Sequence, residues 1–248
     1  MKHYHGTPIG GKRDHANQFI ENRLVLIPWK RPDDLAAAQQ FSQGFVVDNS
    51  AFSFWSTGEV PKWSDYIMWV MGLCNSPRFD WAIIPDKIDG SEVDNNKLID
   101  YWQRTAKGIP CCPVWHVHET IHRLKWLVAN FERVAIGSSG EFSTPAVGKW
   151  WEKMDAAFNS ITDRNGFPMA KIHGLRMLRK DIIQRYPFAS CDSTNAAQNG
   201  SREAMKIGTD SGWGQQTIAR RIESYQPPAV WDVKNEQELL PILQEGIK

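Results

Sequence analysis

The chain has 248 residues, 42% of them hydrophobic, with 29 Lys and Arg against 28 Asp and Glu and a formal net charge of +1. That length and apolar content support one large domain with a real core, and the near-neutral charge excludes the broad positive field of a protein that coats nucleic acid. No run approaches the roughly 20 apolar residues of a membrane span, and Met1 to Ile20 lacks the apolar core of a signal peptide, so a soluble, cytoplasmic protein is expected.

Met1 to Thr7 (MKHYHGT) reads as a first strand that leaves through the Gly-rich HGTPIGG, with helical periodicity from about Lys12 to Asn22. Leu24 to Trp29 (LVLIPW) is a second apolar run, and Pro32-Asp33-Asp34 makes a good helix start before LAAAQQF. The third strand, Phe45-Val46-Val47, stops at Asp48, Asn49 and Ser50 and runs into the aromatics Phe52, Phe54 and Trp55. Pro61 to Cys74 then carries apolar residues at helical spacing. Trp81 to Pro85 (WAIIP) is a fourth strand ending in Asp86, followed by an amphipathic helix over Ser91 to Lys107. Cys112 to Val117 is the fifth, exiting through His116, His118 and Glu119 into a helix. Arg133 to Ile136 is the sixth, exiting through Gly137-Ser138-Ser139-Gly140 before a helix over Gly148 to Thr162. Lys171 to Leu175 is the seventh, followed by a basic helix over Met177 to Arg185. Phe188 to Cys191 is the eighth, ending in Asp192-Ser193-Thr194-Asn195. Past Asn199 the chain is polar and Gly-rich until a helix near Gln215 to Tyr225, then Pro227-Pro228 and a terminal helix from Glu236.

Eight short strands alternating with helices predict a parallel sheet closed into a (β/α)8 TIM barrel. The expected organisation is α/β and a single domain over 1–248, with the barrel at about 1–226 and a C-terminal extension at about 227–248. Of the 12 Trp, more than half are expected to pack between helices and barrel, and the rest to line a binding surface. Of the four Cys, 111 and 112 are adjacent while 74 and 191 are isolated, which fits neither a disulfide framework nor a CxxC metal clip.

In a parallel barrel, ligands bind at the carboxyl ends of the strands. Asp48, Asp86 and Asp192 stand at three such ends and are expected to converge at one mouth, with the alternative that Asp48 only caps a turn. Burial and mutual repulsion among them favour one protonated and one ionised carboxyl, the division that chemistry at a glycosidic carbon uses. The histidines leave a different reading open. His3 and His5 on the first strand, His116 and His118 on the fifth and His173 on the seventh offer HxH pairs that, with Asp192, would suit a metal-dependent hydrolase, or they orient turns and hydrogen-bond substrate. A catalytically silent nucleic-acid or sugar-binding barrel is the third reading, suggested by the Trp content.

Several stretches together resemble the tRNA-guanine transglycosylase superfamily, (β/α)8 barrels that exchange guanine for a 7-deazaguanine. DNSAFS at Asp48 to Ser53 resembles the family's DSGGFQ motif, and AIGSSGE at Ala135 to Glu141 its AIGGLAVGE strand exit, shorter by two residues. KIHGLRMLRKDIIQRYPFASCDSTN, 171 to 195, is similar to the segment that delivers the nucleophilic aspartate. The resemblance implies Asp192 as nucleophile at the sugar C1′ and Asp48 as general acid/base. It implies Phe52 stacked on the purine, Asp86 on its amino and ring N–H edge, and the Gly137 and Ser138 amides facing O6. Ser50, His5 and His116 join the substrate-binding set. The family's Cys-rich zinc subdomain has no counterpart in the Cys spacing here, and the compact, zinc-free form resembles the phage-type DNA 7-deazaguanine transglycosylases. The implied partners are therefore DNA and a free preQ0-like 7-deazaguanine base, with tRNA as the alternative polymer and no cofactor or metal. Arg176, Arg179, Lys180, Arg185, Lys12, Arg13, Lys30 and Arg31 are candidates for phosphate contacts or, equally, solvated helix faces.

Overall fold

The computed structural model describes residues 1–232. Its strands are β1 (Lys2–Gly6), β2 (Leu24–Pro28), β3 (Gly44–Asp48), β4 (Phe79–Ile83), β5 (Cys111–Cys112), β6 (Val114–His116), β7 (Arg133–Gly137), β8 (Lys171–Gly174) and β9 (Ser190–Ser193). They form one parallel sheet in the order β5-β4-β3-β2-β1-β9-β8-β7-β6. Every strand expected from the sequence is present, and the ninth arises by division of the fifth. Pro113 has no N–H to give to a ladder, so the stave breaks there into β5, which pairs with β4, and β6, which pairs with β7. The two halves close eight staves into a TIM-like barrel.

The helices are α1 (Arg13–Ile20), α2 (Leu35–Phe41), α3 (Ala51–Thr57), α4 (Trp63–Leu73), α5 (Glu92–Thr105), α6 (Ile121–Asn130), α7 (Lys149–Ile161), α8 (Lys180–Ile183), α9 (Asn195–Ile207) and α10 (Ser211–Glu223). Three depart from expectation. The helix expected over 177–185 shortens to α8, because Arg176 takes a left-handed φ of 58° and Met177 and Leu178 are buried as the exit of β8. The aromatic stretch after Asp48 forms the short helix α3. The polar stretch past Asn199 belongs to a full helix, α9, whose buried stripe is Ala196, Gly200 and Ala204. These small residues let α10 approach so closely that a Cβ at Gly214 would lie 2.0 Å from the Gly200 carbonyl oxygen. The terminal helix expected from Glu236 lies outside the described residues.

Strand residues alternate between two cores. Those facing outward, such as Val25, Phe45, Trp115 and Ile136, pack with the helices, whereas Tyr4, Leu26, Val46, Trp81, Val114 and Ala135 fill the barrel. Nine of the 12 Trp are at least partly buried; Trp55, Trp126 and Trp213 are exposed. No helix among the described residues is long and apolar enough to cross a membrane.

Candidate active site

Period-two alternation decides which strand-end side chains reach the barrel mouth. On β3, Asp48 shares the inward face of Val46. On β9, Asp192 is in register with the inward Tyr4 of β1, and on β8 His173 is in register with Ser190. His116 at the end of β6 shares the face of Val114, in register with Gly137. The same rule removes the other histidine pair from the site. His3 and His5 flank Tyr4 and therefore point into the helical layer, where His3 Nε2 meets the Tyr225 carbonyl at 2.9 Å and His5 Nε2 meets Glu223 at 3.0 Å, its ring against Phe19. His5 is thus not at the mouth, contrary to the sequence expectation, and the two HxH pairs do not converge. Among the described residues no group of three His, Cys, Asp or Glu is spaced to hold a metal ion.

The three aspartates do come together. Burial, reinforced by repulsion from Asp192 and then Asp86, pushes the Asp48 carboxyl up from 3.8 to about 7, against the opposing pull of the Arg176 guanidinium and the Ser50 amide. That amide donates to Asp48 Oδ2 at 3.1 Å from a residue held at a left-handed φ of 60°. Such a φ is uncommon outside glycine and points to a backbone fixed by its surroundings. The Ser50 hydroxyl accepts the Lys30 amide at 3.1 Å, so its side chain is committed to the turn that aims Asp48.

Asp86 is anchored on two sides. Asn49 Nδ2 donates to its Oδ1 at 2.6 Å and also to the Ile84 carbonyl at 2.7 Å, while His116 Nε2 lies 2.9 Å from its Oδ2. A carboxylate has about four acceptor positions, so capacity for a ligand's donors remains. Behind this pair, a buried Glu119 accepts the His116 amide at 2.9 Å and Asn95 Nδ2 at 3.2 Å and is ion-paired with Arg123 at 2.5 Å. Asn95 in turn accepts the Lys87 amide at 2.8 Å, which ties the β4 exit to the β6 exit. His116 Nδ1 is buried and has no hydrogen-bond partner among the described residues. A Cβ added at Gly137 would come to 3.6 Å from that nitrogen, so the absence of a side chain there leaves room beside it.

Asp192 is held by the Arg176 amide at 3.0 Å and by His173 Nε2 at 3.3 Å, both on Oδ1. Phe52, 41% exposed on α3, carries the Arg176 guanidinium 3.9 Å above its ring, with Trp55 beside it. Ser138 is partly turned away, its hydroxyl accepting Trp150 Nε1 at 2.9 Å. Asn49 carries no role in the sequence analysis, although it stands directly after Asp48, whereas His173 appears there among the candidate metal ligands with Asp192, and the structure sets its Nε2 3.3 Å from that carboxylate.

Four surface cavities of about 380 to 650 Å³ lie away from the three aspartates. The site is marked by its chemistry, a half-buried acid pushed up to about 7 beside two buried ones. The chain matches no family model, and neither a curated protein nor a solved structure matches it.

Proposed function

We propose that this barrel is a base-exchange transglycosylase that replaces guanine in DNA with a preQ0-like 7-deazaguanine through a covalent glycosyl-aspartate. The observation that carries this reading is the convergence of Asp48, Asp86 and Asp192, in which burial and the two neighbouring acids push the Asp48 carboxyl up to about 7. A carboxyl that titrates near neutrality can give a proton in one step and take one in the next, while an ionised neighbour attacks.

In the first half-reaction, an Asp192 oxygen bonds to C1′ as the C1′–N9 bond breaks, and the electron pair on N9 takes the proton of Asp48, releasing guanine. In the second, N9 of the incoming base bonds to C1′ and its proton returns to Asp48. The C1′–O bond breaks and Asp192 is again a carboxylate. The remaining acceptor positions of Asp86 suit the N1 and N2 donors of guanine, and the space beside Gly137 and His116 Nδ1 suits the base edge next to them. Phe52 offers a stacking face once Arg176 moves from it.

A base within duplex DNA has to leave the stack to reach such a mouth. Several of the basic candidates are already ion-paired: Arg13 with Asp34, Lys30 with Glu59, Arg31 with Asp33, Arg179 with Asp181 and Arg185 with Asp155. Arg176, Lys180 and Lys12 have no acidic group within ion-pair distance among the described residues and are the better phosphate partners. Incubation with guanine-containing DNA and a labelled 7-deazaguanine is expected to put label into the polymer, and Asp192→Ala to abolish it. Full incorporation by that variant overturns the mechanism, and label entering tRNA but not DNA moves the polymer assignment.

A further inference from the structure

We propose that His173 is a positioning residue that fixes one oxygen of Asp192 as the spectator and leaves the other to attack, a role that rests on the base-exchange reading above. His173 is fully buried inside the barrel beneath Asp192. Its ring is locked: Nδ1 lies 2.9 Å from the Ser190 hydroxyl, and its faces and edges pack against Trp81 and Tyr4 at centroid distances of 4.9 and 6.1 Å. With the Ser190 O–H donating to Nδ1, the imidazole proton resides on Nε2 and points at Asp192 Oδ1, 3.3 Å away. The Arg176 amide donates to the same oxygen at 3.0 Å, whereas no hydrogen bond reaches Oδ2 among the described residues. Oδ2 is the oxygen with its lone pairs free.

The consequence differs between the two half-reactions. When Oδ2 bonds to C1′, Oδ1 becomes the ester carbonyl oxygen and keeps both donors. When the incoming base attacks C1′, the C1′–Oδ2 bond breaks, its electron pair returns to the carboxylate, and the negative charge shared by Oδ1 is stabilised by His173 N–H and Arg176 N–H. Without the His173 donor, Asp192 is a more basic nucleophile but a poorer leaving group. Release of the sugar should therefore suffer more than its capture.

The test measures a denaturant-stable protein–DNA adduct and its chase by added 7-deazaguanine. His173→Phe keeps a flat ring among Trp81 and Tyr4 but has no donor. It is expected to slow the chase by roughly tenfold to a hundredfold, the range for a hydrogen bond to a charged group, while adduct formation changes less, so that adduct accumulates above the wild-type level. His173→Gln, which restores an N–H donor, is expected to recover most of the chase rate. Ser190→Ala keeps the ring and frees only its tautomer; it gives a smaller slowing in the same direction and carries the test if the phenylalanine variant does not fold. Wild-type adduct with an unchanged chase in His173→Phe and Ser190→Ala, or an equal fall in formation and chase, overturns the role of His173 alone. No wild-type adduct and no label in DNA overturns the base-exchange reading and this inference with it.

Discussion

The barrel carries carboxylates at both ends, and they are treated in opposite ways. At the floor, Asp80 accepts the Tyr4 hydroxyl at 2.6 Å and pairs with Lys2 at 3.0 Å; a Cβ at Gly44 would come to 3.3 Å from its Oδ2, so the neighbouring strand is trimmed to fit it. Arg133, 5.1 Å from the Trp81 ring, adds another positive charge nearby. At the mouth, the Asp48 carboxyl accepts one hydrogen bond among the described residues, from the Ser50 amide, and repulsion from two other acids outweighs the pull of Arg176. The floor pairs its acid with a cation, whereas the mouth sets three acids close together, two of them hydrogen-bonded and one raised by their repulsion. An arrangement that costs stability at one end of a fold and is avoided at the other is what the proposed base exchange asks of its site.

The largest test of that contrast is on turnover. Asp48→Asn keeps the size of the side chain and removes its proton traffic, and exchange is expected to fall by about 10² to 10⁴. In the wild type, the first step needs the protonated acid. kcat/KM should therefore hold below pH 7 and fall about tenfold per pH unit above it, as Asp48 loses its proton near pH 7. A pH profile flat from 6 to 9, or an active Asp48→Asn protein, would remove Asp48 from the chemistry.

How much of this contrast was legible beforehand depended on the length of side-chain signal each element carries. Runs such as LVLIP and GFVVD are buried on both faces and announce themselves as parallel strands, so the barrel and the acids at its exits followed from sequence. The facing of a strand was not legible, because a run buried on both sides gives period two no polar side to reveal. His3 and His5 were consequently as plausible at the mouth as His116, and only pairing with β9, which sets Tyr4 beside Asp192, separates them. Helix α9 is hidden in the sequence for a related reason: its buried stripe is Ala196, Gly200 and Ala204, small enough to look like loop composition until Gly214 and Gln215 of α10 supply the other half of the contact. Asn49 and Ser50, whose work is to aim two aspartates, look in sequence like ordinary turn residues.

Stability gives a second, smaller contrast between the two ends. Asp48 has a folded value above its unfolded 3.8, so the folded state holds the proton more tightly; the resulting stabilisation is present at low pH and is lost as pH rises from about 4 to 7. Asp48→Asn is thus expected to be more stable than wild type at pH 8, by about 2 kcal/mol, half the ceiling of roughly 4 kcal/mol set by the shift, because the residue is only partly buried and its charge is partly screened. At the floor the sign reverses: Asp80→Asn weakens a charge-assisted bond to Tyr4 and the pair with Lys2, and should cost about 1 to 2 kcal/mol with exchange intact. Denaturant titrations of both variants at pH 5 and 8 check this, and the same sign at both ends would erase the distinction.

The smallest expected effect concerns the outer layer, where His5 was found instead of at the mouth. Glu223 binds His5 at 3.0 Å and Arg23 at 2.8 Å, and the His5 hydrogen bond, with help from Arg23, holds its carboxyl down from 4.5 to about 2. For an acid with a lowered folded value the stabilisation is full above pH 4.5 and disappears as pH falls toward 2. Since Glu223 is about a third open to solvent, screening reduces the contribution to about 1 kcal/mol. Glu223→Gln should therefore lower stability by that amount at pH 7, converge with wild type in acid, and leave base exchange unchanged. A variant that keeps its stability but loses exchange would mean that the β1 histidines communicate with the mouth after all, and the separation of a helix-facing pair from a substrate-facing one would have to be withdrawn.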